Sequence, residues 1–115
     1  MEQIHINAVF SDIDPNRLEE FKALAGELLR ITNDDDGVLN YDWYLSDDGT
    51  RCVVRETYVD SAAVLAHLPL VNEQLARIRE ICGAAEGDIL GDASPDLRAM
   101  IDAAGVHLCG HLQSK

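Results

Sequence analysis

A carboxylate, a phenol and an imidazole lie close together in the sequence, at Glu56, Tyr58 and His67. Imidazole titrates near neutral pH, so it can take up or release a proton during catalysis. Carboxyl groups at the wall of a cleft often have shifted pKa values, which suits them to the same work. Structural roles stay open: His67 can cap the end of a helix, and Glu56 can form a buried hydrogen bond with Tyr41.

A second cluster of candidate ligands stands near the C-terminus, where His107, Cys109 and His111 alternate along a predicted strand and point to one face. The spacing resembles a soft-metal site. However, residues four apart on a strand lie ~13 Å apart at Cα, which is too far for both imidazoles to bind one ion at ~2.0–2.1 Å. We therefore expect no metal site here and interpret the segment as a half-exposed or dimer-contact strand.

Familiar cofactor and hydrolase motifs are absent from the sequence, which contains no Walker sequence, no G-x-G-x-x-G, no G-x-S-x-G and no H-E-x-x-H. We expect no built-in cofactor. The three cysteines form no C-x-x-C pair, and their number is odd. We interpret them as reduced thiols of a cytoplasmic protein, because the N-terminus is acidic where a signal peptide would be basic.

The N-terminal third of the chain predicts a strand and then a helix. Residues Gln3–Ser11 alternate, with Ile4, Ile6, Ala8 and Phe10 on one face and His5, Asn7 and Val9 on the other. Asp14-Pro15 is typical of a helix start. Apolar residues at helical spacing follow, namely Leu18, Phe21, Leu24, Leu28 and Ile31.

Two strand-like runs, Val38–Asp47 and Thr50–Val59, flank Asp48-Gly49, the preferred two-residue hairpin turn. This turn predicts that opposed residues have numbers summing to 97. One face would carry the pairs Leu39/Tyr58, Tyr41/Glu56, Trp43/Val54 and Leu45/Cys52, and the other Asn40/Thr57, Asp42/Arg55 and Tyr44/Val53. The opposite charges of Asp42 and Arg55 favour this register.

The rest of the chain predicts two more helical segments and two strands. Asp60 can cap a helix that Pro69 interrupts or restarts, and Gly83 can end it. A weak strand follows at Gly87–Gly91, then a short helix from Ser94-Pro95 to Gly105. The run Val106–Leu112 predicts the last strand.

This order predicts one α+β domain spanning residues 1–115: a ferredoxin-like βαββαβ unit with an antiparallel sheet and helices on one face, followed by an extra helix and strand. The hairpin carries apolar side chains on both faces, including Tyr44 and Val53 on the second. One domain has helices for only one face, so a second copy packing sheet to sheet would cover the other. We expect a homodimer.

Composition narrows the choice of partners. The chain has 115 residues and a net charge of −12. Such a chain is repelled by phosphate backbones and anionic lipid, so we expect neither nucleic acid nor membrane as a partner.

The segment Glu56-Thr57-Tyr58-Val59-Asp60, with Ala63 and His67 after it, reads as E-x-[WY]-x-D-x-x-A-x-x-x-H. The preceding strand opens with Gly37-Val38-Leu39-Asn40-Tyr41, similar to G-x-L-x-Y. Together these motifs resemble the antibiotic biosynthesis monooxygenase family of dimeric α/β barrels. The resemblance spans residues 3–82, and residues 91–98 more loosely resemble one subgroup.

The resemblance implies a dimeric barrel that oxidises a small phenolic or quinol substrate with dioxygen, without metal or flavin. A deprotonated, electron-rich aromatic can itself reduce dioxygen, so the protein must supply a base, an apolar pocket and anion stabilisation. His67 would be the catalytic base, with Glu56 and Tyr58 beside it. Asn7 stands where haem-degrading relatives have an asparagine, and substrate would contact Asn7, Tyr41, Trp43 and Val54.

Three other functions stay open. One is an isomerase or lyase of a small signal metabolite, because the same motif is similar to that of relatives that isomerise small phosphorylated signals, although Arg55 is predicted to point away from Glu56. Haem degradation with His67 as a ligand is another possibility, and a dimer that binds a small molecule without catalysis is the third. We expect quinol-dependent oxygen uptake to separate the first function from these.

Overall fold

The computed structural model describes residues 2–104 and 106–115. Its strands are β1 (Ile4–Phe10), β2 (Val38–Leu45), β3 (Cys52–Tyr58), β4 (Glu86–Leu90) and β5 (His107–Cys109). Its α-helices are α1 (Leu18–Asn33), α2 (Ser61–Cys82) and α3 (Pro95–Ala104), and a 3₁₀ turn at Pro15–Arg17 precedes α1. As predicted, Asp14 caps this entry, accepting a hydrogen bond from the Asn16 amide at 2.9 Å.

The five strands form one sheet in the order β2-β3-β1-β4-β5. The first four strands pair antiparallel, which confirms the ferredoxin-like α+β fold. The extra strand β5 follows this unit and pairs parallel with β4 at the edge of the sheet, after a crossover through α3. The sheet of this single chain is open and does not close into a barrel.

The helices cover one face of this sheet, here called the helix face. It carries alternate residues of the central strands, among them Phe10 and Val54, which pack in one core against Phe21 and Leu28 of α1 and Ile78 of α2. The opposite side, here called the open face, carries the residues between them. Three rows cross it from strand to strand: His5–Thr57–Asn40, Asn7–Arg55–Asp42 and Val9–Val53–Tyr44.

The register of the β2–β3 hairpin is as predicted, with Tyr41 opposite Glu56 and Asp42 opposite Arg55. The predicted pair Leu39/Tyr58 is wrong, because a bulge after Val38 makes Val38 the partner of Tyr58 and leaves Leu39 exposed.

The prediction of a two-residue turn is also wrong, because the loop has four residues, numbers 47–50. The Gly49 amide donates to the Ser46 carbonyl at 2.9 Å, and Ser46 pairs with Arg51 at 2.8 Å. Asp48 Oδ1 accepts from the Ser46 hydroxyl and from both the amide and hydroxyl of Thr50, which stabilises this wider turn. The predicted two-residue turn and the observed four-residue loop are both centred between Asp48 and Gly49, so the strand register is the same for either.

Helix α2 runs without a break through Pro69, so the predicted interruption there is wrong. Asp60 caps its start, as predicted, with Oδ1 accepting from the Ala63 amide at 2.9 Å, and Gly83 ends it at φ 77°. Buried residues lie on both sides of the proline, including Val64 and Val71. Burial of such a side chain is worth ~1.5–3 kcal/mol, so several of them outweigh one lost backbone hydrogen bond.

The C-terminal strand is shorter than the predicted Val106–Leu112 run, because only His107–Cys109 pairs with β4. Leu112 lies beyond it with its side chain exposed. The predicted helix end at Gly105 falls outside the described residues. Among the helices of the described ranges, none is both long enough and apolar enough to cross a membrane.

Candidate active site

A cavity of about 460 Å³ lies between α2 and the helix face of the sheet. Alanines at positions 8, 84, 85 and 104 line it, and their small side chains leave space that larger residues would fill. Most of the wall is apolar, and the polar groups that interrupt it belong to Tyr41, Trp43, Glu56, Tyr58, His67 and Arg79. A largely apolar cavity of this size with a few convergent polar groups is typical of small-molecule sites.

Glu56 and Tyr58 are two residues apart on β3, so both side chains point to the helix face. The Tyr58 hydroxyl donates a hydrogen bond to Glu56 Oε1 at 2.6 Å. Withdrawal from water raises the pKa of Glu56 to about 7, and the hydrogen bond from Tyr58 lowers it by less. Burial and the neighbouring Glu56 raise the pKa of Tyr58 far above its usual range, so the phenol stays protonated.

His67 lies inside α2, six residues after Ser61, with its side chain 2% exposed, so it does not cap the end of a helix. Its Nδ1 lies 3.1 Å from Asp35 Oδ2. Its Nε2 is buried and has no hydrogen-bond partner within the described part of the chain. The rings of Tyr41 and Tyr58 meet the imidazole edge-on, with centroids 5.7 and 5.6 Å away.

Tyr41, Trp43 and Val54 also line the cavity, as the sequence predicts for residues on one face of the hairpin. Trp43 stacks on Phe10 with ring centroids 5.9 Å apart, so its side chain also packs against the hydrophobic core. Its indole Nε1 is buried without an acceptor among the described residues. Burial and the charge of Glu56 raise the pKa of Tyr41, which keeps its hydroxyl a donor at neutral pH.

Asn7 lies apart from this cavity, and the structure does not bring it to the other candidate residues. It occupies β1 between Ile6 and Ala8, both of which line the cavity, so strand alternation turns Asn7 to the open face. There it borders a polar groove with His5, Asn40, Asp42 and Arg55. Arg55 therefore points away from the cavity, as predicted.

Two residues at the site were not identified from the sequence. Asp35 belongs to the acidic run Asp34-Asp35-Asp36, whose composition indicates only a turn. Arg79 reaches the cavity from the C-terminal half of α2. No periodic pattern links Asp35 to a histidine 32 residues later, so local signals could not have found the pair.

The described residues bring no three His, Cys, Asp or Glu side chains together in a metal-binding cluster. His107 and Cys109 are exposed on β5, and His111 lies beyond the end of that strand. The residues of the candidate site thus offer acid–base groups and an apolar wall rather than a ligand set.

Comparison with known proteins gives a family match. The family model described as antibiotic biosynthesis monooxygenase matches residues 4–70, more than half of the chain. A search of curated proteins finds no match.

Solved structures share the fold. MupZ from Pseudomonas fluorescens superposes with a TM-score of 0.86 at 22% identity, covering 98% of this chain and 93% of its own. Rv0793 from Mycobacterium tuberculosis superposes with a TM-score of 0.69 at 24% identity, covering 80% of this chain and 96% of its own. A candidate antibiotic biosynthesis monooxygenase from Caulobacter crescentus CB15 superposes with a TM-score of 0.70 at 20% identity, covering 80% of this chain and 91% of its own. The similarity to MupZ thus extends through α3 and β5.

Proposed function

The chain belongs to the antibiotic biosynthesis monooxygenase family, and from this premise we propose that it oxidises a small phenolic or quinol substrate with dioxygen, using no metal or flavin. Family membership supports a monooxygenase-like function in general. The observation that carries the finer proposal is a buried imidazole, that of His67, beside an apolar cavity and with Nε2 free of hydrogen bonds within the described chain.

In this mechanism His67 Nε2 accepts the proton of the substrate hydroxyl. The resulting phenolate is electron-rich, and its ring carbon reduces dioxygen by forming a carbon–oxygen bond, which gives a hydroperoxide. Loss of water then breaks the oxygen–oxygen bond and the carbon–hydrogen bond, leaving a quinone carbonyl. One oxygen atom enters the product and the other leaves as water, with the substrate as the only reductant.

Glu56 suits the second proton transfer. Because its pKa is about 7, a large fraction of the carboxyl groups is protonated near neutral pH. A protonated Glu56 can supply the proton that the departing water needs and regain a proton when the carbon–hydrogen bond breaks, while Tyr58 holds Oε1 in place. Tyr41, Trp43 and Val54 would contact the aromatic ring of the substrate.

Oxygen uptake with a panel of quinols and phenols tests this function. Replacing the proposed base in His67→Ala should lower turnover ~10²–10⁴-fold, the usual contribution of a general base. His111→Ala is the matched control, because His111 is exposed beyond the end of β5 and does not line the cavity. Full turnover by a folded His67→Ala variant would show that the base assignment is wrong.

A second candidate function is cofactor-free isomerisation of a small carbonyl compound. One observation favours it: the cavity holds both a carboxyl group with a pKa of about 7 and an imidazole, which suffices for moving a proton between adjacent carbons. Isomerisation would continue without dioxygen, whereas the proposed oxidation would stop. Assay under nitrogen therefore separates the two, and native mass spectrometry tests the haem and simple-binding alternatives.

We also propose that the protein works as a homodimer joined through the open face. The row Val9–Val53–Tyr44 is apolar, and the Tyr44 side chain is 55% exposed in the single chain. Val53→Lys should weaken dimerisation in sedimentation velocity, whereas Leu29→Lys, at an exposed position of α1, should not. A wild-type protein that sediments as a stable monomer at micromolar concentration would contradict the proposal.

A further inference from the structure

We propose that Asp35 is the positioning residue of the candidate site: its carboxylate holds the imidazole proton of His67 on Nδ1 and so makes Nε2 the proton acceptor. The inference rests on the proposed function only for the role of Nε2 in turnover. The placement of the proton is a separate property, measurable without substrate.

The contact between the two side chains determines the tautomer. An ionised carboxylate can only accept hydrogen bonds, and a neutral imidazole has one N–H and one bare nitrogen. With Asp35 Oδ2 3.1 Å from Nδ1, the N–H must be at Nδ1 for a hydrogen bond to form. Nε2 is then the bare nitrogen, and it is the one without a partner in the described chain.

The unpartnered Nε2 suits a substrate hydroxyl. A buried acceptor without a hydrogen bond has lost its hydration without compensation, so a hydroxyl group that enters the cavity and donates to it removes that cost. The rings of Tyr41 and Tyr58, packed edge-on at 5.7 and 5.6 Å, keep the imidazole from turning away.

Backbone contacts hold the Asp35 carboxylate in place. Its Oδ1 accepts a hydrogen bond from the Gly37 amide at 3.0 Å, so the two oxygens have different partners. The Asp35 amide donates to the Thr32 carbonyl at 3.0 Å, and the Asp35 carbonyl accepts from the Val38 amide at 3.1 Å. The loop is thereby fixed between α1 and β2, with one oxygen left to face His67.

Close packing brings this loop to α2. A Cβ atom placed on Gly37 would lie 2.9 Å from Cβ of Ala63, which precedes His67 by one turn of the same helix. Only glycine allows the loop to approach the helix this closely without a shift. The carboxylate and the imidazole therefore meet because the loop and the helix are packed together at this point.

The test variant is Asp35→Asn, in which the hydrogen bond from Gly37 determines how the new side chain is oriented. The Gly37 N–H can only donate, so the asparagine side-chain oxygen takes the place of Oδ1 and the side-chain nitrogen takes the place of Oδ2. That nitrogen donates to Nδ1 of His67, which moves the imidazole proton to Nε2. Asp36→Asn is the matched control, since it removes the same charge at an exposed position next to Asp35.

Nitrogen-15 NMR of the imidazole, recorded where His67 is neutral, reads the tautomer directly. We expect the proton on Nδ1 in wild type and in Asp36→Asn, and on Nε2 in Asp35→Asn. Turnover of a phenolic substrate should fall ~10²–10⁴-fold in Asp35→Asn, because the general base no longer has a lone pair towards the substrate. KM should change little, since Asp35 does not touch the substrate.

Three results would overturn the inference: a wild-type proton on Nε2, an unchanged tautomer in Asp35→Asn, or a turnover of Asp35→Asn equal to that of Asp36→Asn. If Asp35→Asn does not fold, the wild-type spectrum still decides the placement of the proton. If wild type oxidises no phenol although its proton is on Nδ1, the proposed function fails while the positioning role of Asp35 stands.

Discussion

The hydroxyl of Tyr58 donates a hydrogen bond of 2.6 Å to Oε1 of Glu56, two residues before it on the same strand. The two side chains meet because alternate residues of a strand share a face. Burial favours the neutral carboxyl and the hydrogen bond favours the charged one, and burial is the stronger effect, since the pKa of Glu56 is raised to about 7. This pair gives the cavity a group that can change its protonation state near neutral pH.

Glu56→Gln should change how stability depends on pH. The folded-state pKa of about 7 lies above the ordinary value of 4.5, so between these pH values the folded protein binds more protons than the unfolded chain. In wild type, ionisation of Glu56 therefore lowers the free energy of unfolding as pH rises through this interval. Glutamine cannot ionise and still accepts the Tyr58 hydrogen bond.

The stability of Glu56→Gln relative to wild type should thus increase across this interval of about 2.5 pKa units by on the order of 3 kcal/mol, at ~1.4 kcal/mol per unit. Urea denaturation at several pH values measures it. Glu86→Gln, at an exposed position of β4, is the control and should follow wild type. A constant difference between Glu56→Gln and wild type would contradict the raised pKa.

Tyr58→Phe should raise the pKa of Glu56 further. The variant removes the hydroxyl that stabilises the charged carboxylate and leaves the burial of Glu56 nearly unchanged. Carbon-13 NMR titration of the Glu56 carboxyl measures the pKa, with Tyr44→Phe on the open face as the control. A pKa equal to or below that of wild type would show that the hydrogen bond does not act on the carboxyl as inferred.

Gly37→Ala should destabilise the protein by ~1–3 kcal/mol, because the new methyl group would lie 2.9 Å from Cβ of Ala63 and force the loop away from α2. Gly26→Ala is a control with the opposite expectation. Its new Cβ has ordinary space on α1, the nearest atom being an Arg30 nitrogen at 3.7 Å, so it should stabilise by up to ~1 kcal/mol. Thermal unfolding measures the change in stability of both variants. Equal changes in Gly37→Ala and Gly26→Ala would show that Gly37 is not closely packed against Ala63.

Pro69→Ala should stabilise the protein by ~1–3 kcal/mol. Proline in a helix interior cannot donate to the carbonyl four residues before it, here that of Leu65, and alanine restores this hydrogen bond. Asn72→Ala, exposed on the same helix, controls for helix propensity, worth ~0.5 kcal/mol. A loss of stability in Pro69→Ala would contradict this prediction.

Features that depend on neighbouring residues could be predicted from the sequence. Strand alternation placed Glu56 and Tyr58 on one face with Tyr41, Trp43 and Val54, and the structure puts all five at the cavity. The cap at Asp60 follows from side-chain and backbone groups three residues apart. The same alternation put Asn7 on the face of β1 opposite Ile6 and Ala8, but only the pairing of β1 with β3 shows that this face is also opposite Val54, with which the family resemblance grouped Asn7 in one site.

Features that depend on distant contacts appear only in the tertiary structure. Pro69 is a local signal for a helix break, but the burial of residues on both sides of it outweighs the lost hydrogen bond, and that burial cannot be read from the local sequence. The hydrogen bond between Asp35 and His67 joins residues 32 apart, and it exists because Gly37 lets a loop pack against Ala63. The sequence alone thus determined which residue types face the helices, whereas packing decided which carboxylate meets the imidazole, because side-chain contacts between separate elements depend on how closely those elements approach.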